Sequence, residues 1–156
     1  MAQQAMRLFG DKQLIANLNA LPERVYRKVV RQSIGKAATP MKKAMKREAK
    51  KRRSTTRTSG QHLFQTLKTR IRTYKSNSTI LAVVGPKHPE GAHGHLVEWG
   101  HRIVAHGGQS SGGRTRAFNW MLTAYNATKG QSLAILQREL VSKVETSAAE
   151  LGRANA

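Results

Sequence analysis

The spacing of the apolar residues changes twice along the chain, and that change limits the possible folds more than any single motif. Val25, Val29, Val30, Ile34, Ala37, Met41 and Met45 recur near helical intervals and predict a long helix that opens at Pro22. Residues 67–74 instead alternate, with Leu67, Thr69, Ile71 and Thr73 on one face and Lys68, Arg70, Arg72 and Tyr74 on the other. A turn at Ser76-Asn77-Ser78 leads to a more apolar run at 79–84, so the two runs predict an antiparallel hairpin closed by Gly85-Pro86. Helical spacing returns at Phe118, Met121, Leu122 and Tyr125. After a pause at 126–130 it resumes with Leu133, Leu136, Leu140 and Val144. Helices, then a small antiparallel sheet of three to four strands, then a helix make an α+β chain.

The remaining segments fill in around this frame. Asp11 suits the N-cap of a short helix carrying Leu14, Ile15, Leu18 and Leu21. Pro40 falls inside the long helical pattern and predicts a kink there, or a break after Ala38 or Thr39. Residues 95–99 read as a third strand and 102–105 as a weaker fourth. The run 106–114 is too rich in glycine to hold regular structure alone. Segments 1–8, 52–60, 87–94, 106–114 and 150–156 are expected to be flexible. The 156 residues fit one domain and contain no internal repeat. With 38% apolar and 5% aromatic residues the core is modest, which leaves apolar surface for partners to cover.

Charge speaks to partners rather than to fold. The chain has 28 Lys and Arg against 8 Asp and Glu, a net +20, which is more than an ordinary soluble enzyme carries. Copies so charged repel one another, and polyanions attract them through counterion release. The excess is densest at 42–57, where only Glu48 interrupts a basic run. On a helix Lys42, Lys46, Arg47, Lys50 and Arg53 share one broad side opposite Met41, Met45 and Ala49. Lys68, Arg70 and Arg72 add a second stripe. These are the candidate contacts to nucleic acid or to an acidic protein, and the plain alternative is a solvated face. Such contacts give affinity without reading sequence. Tyr74 is the one aromatic beside the hairpin stripe, so recognition of stacked bases is not expected.

Catalytic chemistry finds little support. There is no cysteine, which removes disulfides, thiol catalysis and cysteine-bound zinc. Five of the six histidines lie between His88 and His106, with Glu90 and Glu98 nearby. Their spacing matches no closed metal motif and the segment is broken by Gly91, Gly94 and Gly100. The expectation is no metal site, no cofactor and no enzyme. No nucleophile elbow, phosphate loop or dinucleotide fingerprint occurs. No apolar run approaches the roughly 20 residues that span a bilayer, and residues 1–10 lack the pattern of a secretory signal. The chain therefore reads as cytoplasmic, without membrane insertion.

Several local patterns, in order, resemble one family. Leu96-Val97-Glu98-Trp99-Gly100-His101 is similar to the Val-Glu-Phe-Gly-Thr motif of tailed-phage neck and tail-completion proteins, the gene-product-ten-like tail components of lambdoid siphophages. Phe9-Gly10-Asp11 with Leu14 to Leu21 resembles that family's opening helix. Thr58-Ser59-Gly60-Gln61-His62-Leu63 resembles its Thr-Gly-x-Leu stretch, and Arg116-Ala117-Phe118 through Ala124 its Pro-Phe-x-x-x-Ala lead into the last helix. The likeness spans roughly residues 8 to 145. Trp99 stands where Phe is commoner, and Ala117 where proline is expected.

The resemblance implies a non-enzymatic virion subunit that forms a ring, with six copies expected, at the head–tail junction. It would join the head connector or stopper to the tail tube or tail terminator, around the channel through which packaged DNA passes. During assembly it would sit in the host cytoplasm. Glu98, Trp99, His101 and Phe118 are then candidates for a subunit interface or a core anchor, with the core role favoured for Trp99. Phe118, Met121, Leu122 and Tyr125 are expected to dock the last helix on the sheet. The competing readings are a free-standing, sequence-independent nucleic-acid-binding module and, more remotely, an enzyme with a histidine metal site.

Overall fold

A computed structural model describes residues 12–19, 21–51, 62–74, 79–104 and 110–154. The chain is α+β: α1 (Lys12–Asn19), α2 (Glu23–Lys50), α3 (Leu63–Thr66), β1 (Leu67–Tyr74), β2 (Thr79–Pro86), α4 (Gly94–Trp99), β3 (Arg102–Val104), β4 (Ser110–Arg114) and α5 (Trp120–Ala154). The strands form two separate antiparallel pairs, β1 with β2 and β3 with β4, rather than one sheet. The expected cap at Asp11 lies outside the described residues.

Two long helices, α2 and α5, form the frame. Residues at the start of α2 pack near the end of α5 and those at its end near the start of α5, so the pair is antiparallel. The buried residues of α5 are Trp120, Ala124, Thr128, Ser132, Leu140 and Val144, all on one row stepped by four, with Leu136 half-buried between them. Val29, Ser33, Ala37, Met45 and Ala49 form a matching buried row on α2. A step of four advances about 400° at 100° per residue, so each row slants across its helix. Large side chains fill the two ends. One cluster joins Met45, Leu63, Leu67 and Trp120; the other joins Val29, Leu140 and Val144, with α1 adding Leu14 and Leu18. Between them the rows narrow to Ser33, Ala37, Thr128 and Ser132, small enough for the backbones to approach closely.

Packing along this seam decides two expectations. Of the alternatives at Pro40, the break after Ala38 or Thr39 does not occur, and α2 runs on as one long helix to Lys50. Buried residues on both sides of the proline, Ala37 and Ala38 before it and Ala44 and Met45 after, hold the segment helical despite the lost N–H. Nor does α5 pause at 126–130. Thr128 is buried in the seam and its hydroxyl donates to the Ala124 carbonyl at 2.7 Å, so packing overrides the weak local propensity.

The hairpin lies across α2. Its register, Leu67 with Pro86 through Tyr74 with Thr79, matches the expected alternation. Leu67 is buried and Thr69, Ile71 and Thr73 are half-buried, while Lys68, Arg70, Arg72 and Tyr74 face outward. Gly35 permits the approach: a Cβ there would stand 3.1 Å from Ile71 Cδ1. Arg31 Nη1 donates to Thr73 Oγ1 at 2.8 Å from the neighbouring turn of α2. Residues 88–93 form hydrogen-bonded turns, with Gly91 N donating to the Lys87 carbonyl at 2.6 Å.

Two strand expectations are revised here. Residues 95–99 are not a strand; they belong to α4, whose first turn is closed by Leu96 N donating to the His93 carbonyl at 3.0 Å. A run this short has no period long enough to separate strand from helix. The glycine-rich run is not wholly irregular either. Residues 110–114 form β4, held by backbone bonds to β3 with an irregular register between Arg102 and Val104. Main-chain pairing needs no side chain, which is why composition misread it.

Candidate functional site

The segment 96–101 holds three of the candidate residues, Glu98, Trp99 and His101, and its chemistry is structural. Glu98 is 5% exposed, with its carboxylate at the start of α5. Oε2 accepts from Met121 N at 2.8 Å and Oε1 from Leu122 N at 3.2 Å. The first N–H groups of a helix have no partner within it, and the helix dipole favours negative charge there. Asn119, at φ 48°, precedes the helix and its carbonyl accepts from Thr123 N at 2.8 Å. Glu98 thus supplies the side-chain cap from a distant part of the sequence. Two backbone bonds strengthen the junction, Phe118 N to the Val97 carbonyl and Asn119 N to the Glu98 carbonyl.

Gly100 turns the chain away from this junction at φ 70°, where a Cβ would meet the Thr115 carbonyl oxygen at 2.3 Å. His101 and Thr115 are then tied by two bonds: His101 N donates to the Thr115 side-chain Oγ1 and Thr115 N to the His101 carbonyl, both at 2.8 Å. The turn leaves Trp99 pointing outward and 67% exposed. The expectation that Trp99 anchors the core is therefore wrong, because the inward position belongs to Glu98. The tryptophan that does anchor the core is Trp120, 1% exposed, with its Nε1 donating to the Gly94 carbonyl at 3.4 Å.

The apolar spacing that starts at Phe118 does not single out Trp120, and Phe118 itself is exposed in the loop before α5. Likewise Leu122 is 53% exposed, so the last helix docks through Trp120, Met121 and Ala124, mainly on α2 rather than on a sheet. Trp99, Phe118, Leu122 and Ile103 are left as large exposed apolar side chains around the junction. Arg102 and Arg114 face each other in the β3–β4 register close by. Like charges placed opposite one another disfavour that pairing, and no carboxylate among the described residues is salt-bridged to either.

The basic residues divide between two surfaces. On α2 the side chains of Lys46, Arg47 and Lys50 are exposed and Lys42 is half-buried, opposite the buried Met45 and Ala49 as the pattern predicts. Arg53 lies outside the described residues. Glu48, the one acid in the run, is buried and accepts from Lys51 Nζ at 2.8 and 2.9 Å, with Arg47 Nε at 3.5 Å. The Lys51 ammonium holds its carboxyl below the ordinary glutamate range, with Arg47 adding to the effect against the opposing influence of burial. Lys68, Arg70 and Arg72 stand on the outer face of the hairpin, turned away from α2. Directly across the ladder from Arg72 and Arg70 are Leu81 and Val83, 44% and 47% exposed. The hairpin stripe is therefore half apolar, whereas the helix stripe is not.

Among the described residues no three His, Asp or Glu side chains converge as a metal ion requires. His88, His93, His95 and His101 are exposed, and the His95 ring Nδ1 donates to the Ala92 carbonyl at 2.6 Å. No helix among those residues is long and apolar enough to cross a membrane. Comparison with protein-family models, curated proteins and solved structures finds no match to this chain.

Proposed function

We propose that this chain is a non-enzymatic assembly subunit of a tailed phage, forming a ring at the head–tail junction between connector and tail tube, around the DNA channel. The observation that carries the reading is the outward Trp99, held by the buried Glu98 and by Gly100 within the motif that resembles the neck and tail-completion family. A tryptophan so exposed in a chain with only two, beside Leu122 and Phe118, is costly to leave in water. A closed ring covers such surface by repeating one heterologous contact around its axis. The exposed Leu81 and Val83 supply a second face of the same kind.

The test is Trp99→Ala. Because the side chain is exposed, the variant keeps the thermal midpoint of the parent while losing ring formation, followed by light scattering and by electron microscopy with purified tail tubes. A parent protein that stays monomeric with tail tubes present, or a gene deletion that leaves head–tail joining intact, removes the reading.

A second reading, sequence-independent binding of nucleic acid, is favoured by Lys46, Arg47 and Lys50 standing exposed on one side of α2. It predicts duplex affinity that falls steeply with salt and needs no other virion protein.

A further inference from the structure

The seam between α2 and α5 opens on one side into a cleft of about 630 Å³. Lys36, Lys43 and Arg47 of α2 line one wall, and Arg138 with Gln131 of α5 the other. The only carboxylate in it, Glu139, is held by Lys36 Nζ at 2.8 Å and kept below its ordinary pKa range by that lysine. Lys43 and Arg47 also line a second recess of about 400 Å³ with Lys46 and Lys50. The two recesses share Lys43 and Arg47, so both lie along one basic track on α2. From Lys36 to Lys50 it follows α2 for about 21 Å at 1.5 Å per residue.

We propose that this track, with Arg138 as its opposite wall, seats the sugar-phosphate backbone of duplex DNA. The proposal rests on the reading that a polyanion neighbours this chain, and not on the ring. Three features favour phosphate over an acidic protein. The cations come from both helices and converge on one cleft, as groups gripping a ridge of charge must. The apolar lining consists of Ile135, half-buried, with Pro40 and Ala44 in the cleft, and of Phe64 in the second recess, where Lys50 Nζ stands 5.4 Å from the centre of the ring. A protein interface has an apolar centre, and the hairpin face, where Leu81 and Val83 adjoin Arg72 and Arg70, fits that description instead. Finally, Glu48 is withdrawn into the protein beneath the run, so the outer surface of this part of α2 presents cations alone. Arg138 lies far from the basic run in sequence and only folding brings it there.

The experiment is fluorescence anisotropy of the full chain with two unrelated short duplexes, between about 50 and 200 mM salt. Replacing Lys43, Arg47 and Arg138 together by glutamine lowers affinity on the order of 10- to 100-fold and reduces the salt slope by about 3, equally for both duplexes. Lys68→Gln, Arg70→Gln and Arg72→Gln together leave most of the affinity. Glu139→Gln frees Lys36, so it tightens binding several-fold and steepens the slope by about 1. That gain cannot arise from misfolding, so it decides the matter if the triple variant is unstable. Glu145→Gln, an equal change of charge at another exposed site on α5, controls for net charge. The proposal is overturned if the triple variant binds as the parent does, if Glu139→Gln matches Glu145→Gln, or if the hairpin variant loses as much as the cleft variant. Displacement of DNA by polyglutamate at equal charge would also overturn it, in favour of an acidic protein. Light scattering on the same samples reports assembly separately, so failure to form a ring leaves the DNA result standing.

Discussion

Glu98 links two parts of the chain that are far apart in sequence, and its value lies in the groups it satisfies. Its two carboxylate oxygens take the Met121 and Leu122 N–H groups at a helix end that is otherwise closed by a left-handed asparagine. Removing a cap typically costs about 1 kcal/mol, and leaving buried donors unpaired costs about 1 to 3 kcal/mol. Both figures describe the same lost bonds, so Glu98→Ala is expected to destabilise by about 1 to 3 kcal/mol in urea unfolding, and Glu98→Gln by less, because the amide oxygen still accepts one bond. Equal stability of all three proteins would refute the capping role. The prediction separates Glu98 from its neighbour Trp99, whose truncation should spare stability and remove assembly. In the sequence the two residues look like one motif with one purpose. Their side chains go to opposite destinations because a tight helical turn and Gly100 point one inward and the next outward.

At the scale of elements, the α2–α5 seam sets the geometry of everything else. Its middle is made of serine, threonine and alanine rather than of large apolar residues, and two of its hydroxyls, Ser33 Oγ and Ser132 Oγ, are buried without a hydrogen-bond partner. An unpaired buried hydroxyl costs on the order of 1 kcal/mol or more, while alanine keeps the small volume the seam requires. Ser33→Ala is thus expected to raise stability by about 1 kcal/mol, a shift of roughly 2 to 4 °C in midpoint for a chain of this length. Ser33→Leu should do the reverse by overpacking. Calorimetry on the pair distinguishes the two, and a loss of stability in the alanine variant would show that the hydroxyl is needed. The helix at 25–45, the hairpin with its two faces and the helix at 133–144 were legible in the sequence, because strong periodicity there reports a buried face directly. The seam was not. A row of small residues carries little hydropathy signal, so residues 126–130, with the buried Thr128 among them, read as a pause between helices instead of as part of the contact.

For the whole molecule the dominant quantity is the charge of +20. Of its eight acids, Glu48, Glu90 and Glu139 are each held below the ordinary value of 4.5, first by hydrogen bonds from Lys51, Lys87 and Lys36 respectively. A carboxyl depressed in the folded state contributes stability that is complete above its unfolded value and is lost as pH falls through its folded value. Protonating these groups also raises the net positive charge, so self-repulsion acts in the same direction. The melting temperature should accordingly hold steady near neutrality and fall as pH drops below about 4.5, with added salt recovering part of the loss. The gap between the parent and Glu48→Gln should close over the same interval. A midpoint that stays flat into acid would contradict the ion pairing.

By itself the sequence determined the α+β class, the two-faced hairpin and the sign and density of the charge, because each follows from residue type and local spacing. Tertiary structure alone decided which residues meet across the fold. It turned Glu98 to the end of α5 and Trp99 to solvent, buried Glu48 under the basic run, and set Arg138 opposite Lys43 and Arg47. Those relations depend on how two slanted helical rows pack, and local spacing does not record which row will face which.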